Sequence, residues 1–167
     1  MKKSSKIAIL VLVVLMVISV GFFGVMFFMV MNQNGEYNYH FEEGDSVKMV
    51  DDRMQPASSG NRFVVVSYEV FNSGSTQLYF TDSTFDLKDS AGNIYKAWGD
   101  NDDFVNHTPS VSLGKHERAC ECVIYEVPVG VALSDLEPSY HNFGKMVFAN
   151  ELVIDKYFKA NGTIVTP

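Results

Sequence analysis

The run IAILVLVVLMVISVGFFGVMFFMVM, Ile7 to Met31, restricts what this chain can become more than any other feature. It carries no charge, and its only non-apolar members are Ser19, Gly21 and Gly24. Roughly 20 helical residues cross a bilayer core, so the run is long enough to span one with some tilt. Lys2, Lys3 and Lys6 stand before it. Positive charge flanking a first span stays on the cytoplasmic side, which places residues 1–6 inside the cell and everything after residue 31 outside. A cleaved secretory signal is the competing reading. Its apolar region would run about 7–15 residues to a small-residue site, which Ser19 and Gly21 could supply. Ten more mostly apolar residues follow, Phe22 to Met31, and they favour an uncleaved signal anchor over residues 7–31. Both readings export the rest of the chain.

At 167 residues there is room for that span and one ordinary domain. Three of the 13 basic residues are the N-terminal lysines, so 10 stand against 20 acidic residues beyond residue 31, a formal charge of −10. Such a surface repels nucleic acid and anionic head groups, and no basic stripe offsets it. No nucleic-acid partner is expected.

Residues 32–46, NQNGEYNYHFEEGDS, are polar and turn-rich and read as a linker of about 20 Å reach between membrane and domain. Tyr37, Tyr39 and Phe41 either pack on the domain or sit near the head groups; the sequence leaves both open. Beyond them the apolar period is two. In RFVVVSYEVFN, Arg62–Asn72, one face carries Val64, Val66, Tyr68 and Val70, and the other Phe63, Val65, Ser67, Glu69 and Phe71. This is β-branched and aromatic strand chemistry. Gln77–Phe80, Thr84–Lys88, Ile94–Trp98, Arg118–Val127, Lys145–Ala149 and Glu151–Phe158 read as further strands. Short strands with turn signals between them, and no soluble amphipathic helix, predict an all-β, antiparallel sandwich or barrel over 47–167. FDLKDSAGNIY, Phe85–Tyr95, reads as a hairpin: Phe85 and Leu87 alternate with Asp86 and Lys88, and Asp89, Ser90, Gly92 and Asn93 supply the reversal. A cation loop would need more oxygens at regular spacing.

Three segments in this order resemble the telokin-like domain family of unknown function. They are FVVVSYEVFNSGS (Val64, Val66, Val70, Asn72), FDLKDSAGNIY (Phe85, Leu87, Asp89, Gly92, Tyr95) and SLGKHERACECVIYEVP (Gly114, Tyr125, Val127, Pro128). The resemblance covers about residues 47–154. It implies an immunoglobulin-like β-sandwich of the kind found in exported or membrane-anchored bacterial and archaeal proteins. Two departures are Leu113 before Gly114, where the family usually has Pro, and two cysteines in a strand that normally has none.

Those cysteines, Cys120 and Cys122, are the first candidate for chemistry. In a strand their side chains share a face with Cα atoms about 6.5–7 Å apart, at the far edge of disulfide geometry. If Tyr125 and Val127 face the core, both thiols lie on the opposite face with Ile124. They are read as structural or incidental thiols, with a strained or intermolecular disulfide and a metal or redox site as alternatives; closed zinc needs four ligands, and no second Cys pair exists. The second candidate is GDNDD, where Asp100, Asp102 and Asp103 could supply oxygens to Ca²⁺. A mid-loop Gly and a terminal bidentate Glu are missing, and a solvated loop is the simpler reading. His40, His107, His116 and His141 show no paired spacing, and Met49 and Met54 are read as packing. No nucleophile elbow, phosphate loop or metalloprotease motif is present. No enzymatic activity and no cofactor are therefore expected. Asn106 and Asn161 each open a glycosylation acceptor pattern.

The expectation is a single-pass cell-membrane protein with a cytoplasmic N-terminus and an extracytoplasmic module that binds a protein or cell-envelope partner. The long Trp98–Ser112 loop, with Trp98, Phe104, the Asp cluster and His107, is its expected recognition surface. A thiol or metal protein using Cys120 and Cys122, and a structural envelope spacer, are the alternatives.

Overall fold

The computed structural model describes residues 3–99, 103–105, 107, 110–142 and 144–166. The apolar run forms one helix, α1 (Lys3–Met31). None of its stretch from Leu10 to Met29 is buried inside the protein, and this helix is long and apolar enough to cross a membrane.

The rest is β-structure around one four-stranded sheet. Its longest ladder joins β4 (Asn61–Phe71) to β9 (Arg118–Pro128), which pair antiparallel over their full length with β9 at one edge of the sheet. On the other side of β4 lies β1 (Asn34–Gly44), antiparallel, and beyond it β11 (Lys145–Phe148). Alternation along β4 gives it two apolar faces, because every odd and every even position from Phe63 to Val66 is a large hydrophobe.

The first face carries Val64, Val66, Tyr68 and Val70 from β4, with Val123, Tyr125 and Val127 from β9. It is covered by Leu78 and Phe80 of β5 (Leu78–Thr81), Phe85 and Leu87 of β6 (Phe85–Asp89), Leu113 of β8 (Ser110–Leu113) and Leu136 of β10 (Leu136–Tyr140). β10, β6 and β7 (Ile94–Tyr95) form one covering sheet, and β5 with β8 another. The Tyr68 and Phe85 rings stack at 4.9 Å. Tyr125 Oη donates to the Phe85 carbonyl at 2.9 Å and lies 3.2 Å from Tyr68 Oη, so the polar tips of this core are satisfied. Each such aromatic contributes about 1.5–3 kcal/mol by leaving water.

The second face carries Phe63, Val65, Cys122 and Ile124, packed under Val47 of β2 (Ser46–Lys48), Met49, Phe104 and Phe158 of β12 (Tyr157–Phe158). β2 pairs with β3 (Met54–Pro56), and β12 with β13 (Ile164–Val165). The Phe85–Tyr95 hairpin forms as expected: Gly92 sits at φ +89°, and Asp89 accepts from Asn93 N, Asn93 Nδ2 and Tyr95 Oη at 2.8 Å each.

Four expectations are corrected. The linker over 32–46 is mostly β1, and the domain begins at Asn34 rather than at residue 47. Its period-two signal is Tyr37, Tyr39 and Phe41, all packed against the first core; the charged residues around them hid a strand whose ladder runs from Glu36–Phe71 to Gly44–Phe63. The sandwich is not purely antiparallel, because β11 joins β1 in parallel register, Asn34 opposite Lys145 to Tyr37 opposite Phe148. Glu151–Phe158 is not a full strand. Only Tyr157 and Phe158 pair with β13, while Leu152 and Ile154 are buried as a cap over the second face. Finally, the aromatics of the Trp98–Ser112 loop do not form a surface. Phe104 is 1% exposed and bridges Met49, and Trp98 packs edge-on against Phe63 at 4.9 Å.

Candidate functional site

Strand register explains where the thiols fall. Across the second face, Asn38, Glu69 and Cys120 form one row, and His40, Ser67 and Cys122 the next. Cys120 and Cys122 are not joined in a disulfide and lie on the face shared with Ile124. Cys122 is 1% exposed, and burial pushes its thiol far above the ordinary range, with Glu121 adding to the effect. Cys120 is half-buried. Desolvation raises its thiol too, opposed by backbone hydrogen bonds from Asp155 and Lys156 and reinforced by the Glu69 and Asp155 carboxylates. Such thiols stay protonated at neutral pH and are weak nucleophiles and weak metal ligands.

Among the described residues no group of three His, Cys, Asp or Glu side chains is placed to hold a metal. Asp100 and Asp102 lie outside the described residues, as does Asn106. The Asp103 carbonyl accepts from Val50 N at 2.8 Å, which ties its loop to the turn after β2. The histidines are dispersed: His40 stacks on Tyr157, His116 on Phe71, His141 Nδ1 lies 3.6 Å from Asp86, and His107 Nδ1 lies 3.4 Å from the Cys122 carbonyl. Met49 is core and Met54 half-exposed, well short of a paired thioether site.

Glu69 was not singled out by sequence reasoning. Its side chain is fully buried; Oε1 accepts from Arg118 Nη1 at 3.1 Å, and Oε2 has no hydrogen-bond partner among the described residues. Burial raises its pKa, opposed by the Arg118 charge. The available signal was an acid in the middle of a β-branched strand, on the face that also takes Phe63 and Val65.

The most open feature lies on the opposite margin of the sheet. β11 and β9 are the two edge strands; Ala97 bridges Tyr125 on the outer side of β9, whereas no strand pairs with the outer side of β11 among the described residues. Lys145 N donates to the Gln33 carbonyl and Ala149 N to the Tyr37 carbonyl, each at 2.9 Å. In a parallel ladder alternate residues turn both backbone groups to the same neighbour, so the backbones of Met146 and Phe148 face outward. Gly144 leads into the strand at φ +100°, where a Cβ would collide with the Gln33 carbonyl. Beside this edge lies a cleft of about 690 Å³, lined by Glu36, Ser73, Lys145, Val147, Asn150 and Glu151 among others. Val147 and Phe148 are 44% and 47% exposed. On the other side of the strand the Phe148 ring meets Tyr37 and Tyr39 edge-on at 5.9 and 5.6 Å. Burial raises the pKa of both tyrosines, with Glu137 adding to it, so both hydroxyls remain neutral donors.

Helix and strands together define a β-sandwich domain preceded by an apolar helix. No family model and no curated protein matches the sequence. Among solved structures the chain is similar to a conserved hypothetical protein from Bacillus anthracis, with 16% identity, 64% of this chain and 87% of that one covered, and a TM-score of 0.45. It is also similar to an uncharacterized β-sandwich protein from Clostridium difficile, with 16% identity, coverage of 69% and 84%, and a TM-score of 0.38.

Proposed function

We propose that this chain is a single-pass membrane protein whose extracytoplasmic, immunoglobulin-like domain binds a protein or cell-envelope partner by strand addition along β11. The observation that carries the binding mode is the unpaired outer side of β11 beside an open cleft, with two half-exposed hydrophobes on the strand. An unpaired edge offers a row of backbone donors and acceptors to an extended segment, and flanking pockets read its side chains. Anchoring is supported by the uncharged, unburied helix behind three lysines.

The telokin-like reading is supported by what the resembling residues do here. Asn72 is buried; its Nδ2 donates to the Thr76, Leu113 and Gly114 carbonyls at 2.9–3.1 Å, and its Oδ1 accepts from Gly74 N at 2.9 Å. It thereby locks the turn after β4 to the entry of β9. Asp89 and Tyr95 close the hairpin, and Tyr125 links β9 to β6. These are scaffold roles, consistent with a module whose specificity lies elsewhere. The thiol alternative loses support from the raised pKa of both cysteines.

The test is a photo-crosslinking residue placed at Val147 in the full chain, in its own cells, with Ser83 as a distant control. A discrete adduct from Val147, absent from Ser83 and lost with Phe148→Lys, is expected. Equal or absent labelling at both positions leaves the domain as an envelope spacer.

A further inference from the structure

The junction between helix and domain is tied on both sides. Asn32 N and Asn32 Nδ2 reach the Phe28 carbonyl at 3.1 and 2.9 Å, which continues the helix to its last turn. Thr76 Oγ1 donates to the Asn32 carbonyl at 3.1 Å, Gly74 N to the Asn34 carbonyl at 3.1 Å, and Lys145 N to the Gln33 carbonyl at 2.9 Å. A tether would leave such groups to water. Here they seat the start of β5 against the end of α1.

That seating creates a cleft of about 360 Å³ lined by Met26, Met29, Gln33, Thr76, Gln77 and Tyr79. Met26 is five residues before the helix end, so the domain reaches back beside the apolar run itself. The run of 25 uncharged residues from Ile7 to Met31 would extend about 37 Å at 1.5 Å per residue, against a hydrocarbon core of about 30 Å. The excess of about 7 Å is little more than one turn, so the last turn of the helix reaches the interfacial zone when the helix spans. Tyr79 points outward at that level, 56% exposed, between the buried Leu78 and Phe80, with its Oη donating to Gln77 Oε1 at 2.8 Å. An amphipathic ring with a satisfied hydroxyl is the side chain that membrane interfaces favour. No residue lining the cleft is charged, although the exported part as a whole is strongly acidic.

We infer that the Thr76–Tyr79 edge and the last turns of α1 form a lipid-contact site, which takes the upper acyl and glycerol-ester region of an outer-leaflet phospholipid and seats the domain on the bilayer. It rests on the membrane-anchored reading above. The uncharged lining makes the contact indifferent to head-group charge.

The test reconstitutes the full chain in phosphatidylcholine vesicles carrying bromine either near the glycerol end or near the methyl end of the acyl chains. Trp98, the only native tryptophan, gives the baseline. Tyr79→Trp adds a reporter at the cleft, and Phe23→Trp adds one inside the helix. The added Tyr79→Trp emission is expected to fall about twofold or more with shallow bromine and little with deep bromine, unchanged when acidic lipid is mixed in. Phe23→Trp quenched with Tyr79→Trp unquenched overturns the seating and spares the anchor. Neither reporter quenched overturns both. Quenching of Tyr79→Trp that appears only with acidic lipid overturns the uncharged contact. Both sites are exposed, and thermal melting of each variant verifies the fold.

Discussion

The two faces of the central sheet come from the same two strands and have opposite economies. The first face is continuous: every inward residue of β4 from Val64 to Val70 is buried and apolar, and the facing strands meet it with rings and leucines. The second face is apolar only around Phe63, Val65, Cys122 and Ile124. Further along it turns polar, with Ser67 and Glu69 buried beneath the 152–158 segment. There Ser67 Oγ accepts from Phe158 N at 2.8 Å, and Asn38 Nδ2 donates to the Leu152 carbonyl at 2.8 Å. A face covered by paired strands has little need of polar groups, because the covering backbone is hydrogen-bonded within its own sheets. A face covered by irregular chain needs them, because uncovered backbone must find partners in side chains.

The sharpest break of this contrast is Phe85→Ala. Phe85 stacks on Tyr68 at 4.9 Å and meets the tilted Tyr37 ring at 4.6 Å, so its loss is expected to cost about 3–5 kcal/mol in chemical unfolding followed by Trp98 fluorescence. Phe158→Ala, on the second face and 7% exposed near the C-terminus, should cost clearly less; equal costs would mean that the second layer is as integral as the first. Asn72→Ala comes next. It strips the donor from three carbonyls at once, at about 1–3 kcal/mol, with the loss read as earlier thermal melting.

The cysteines probe the second face at finer scale. Cys122→Ser buries a hydroxyl among apolar groups and is expected to destabilise by about 1–3 kcal/mol, whereas Cys120→Ser should change stability by about 0.5 kcal/mol or less. In native protein Cys120 should react slowly with a thiol reagent at neutral pH and Cys122 only on unfolding. Fast labelling of either would revive the redox reading.

The smallest effect is the pH response, and it separates two acids that are both mostly buried. Asp89 accepts three hydrogen bonds; those from Asn93 dominate and hold its carboxyl below the usual range. Its contribution is present above the unfolded value and lost as pH falls through the lowered one. Glu69 is raised by burial, so its contribution is full below the unfolded value and lost as pH rises through the folded one. Thermal melting between neutrality and about pH 2 should therefore fall less steeply in Asp89→Asn and more steeply in Glu69→Gln than in the parent. Parallel curves for all three would show that neither acid couples to folding.

Much of the scaffold was legible. Period two in RFVVVSYEVF, the DSAGN reversal and the shared face of Cys120, Cys122 and Ile124 all follow from local alternation, and each appears in the fold. β1 was not read because Tyr37, Tyr39 and Phe41 are only three apolar positions among acids and asparagines. What makes them a strand is the long ladder offered by β4. Phe104 and Trp98 misled for the converse reason: a loop sequence cannot show that its aromatics fill a gap beneath Met49 and beside Phe63.

By itself the sequence determined a chain with one uncharged helix-forming run and a β-rich, acidic remainder, because charge and side-chain period are properties of neighbouring residues. Only the tertiary structure decided that the domain begins almost at the helix end, that β11 joins in parallel with no strand on its outer side among the described residues, and that Glu69 is buried beside Arg118. Those outcomes depend on pairings between residues far apart in the chain. No local pattern encodes them.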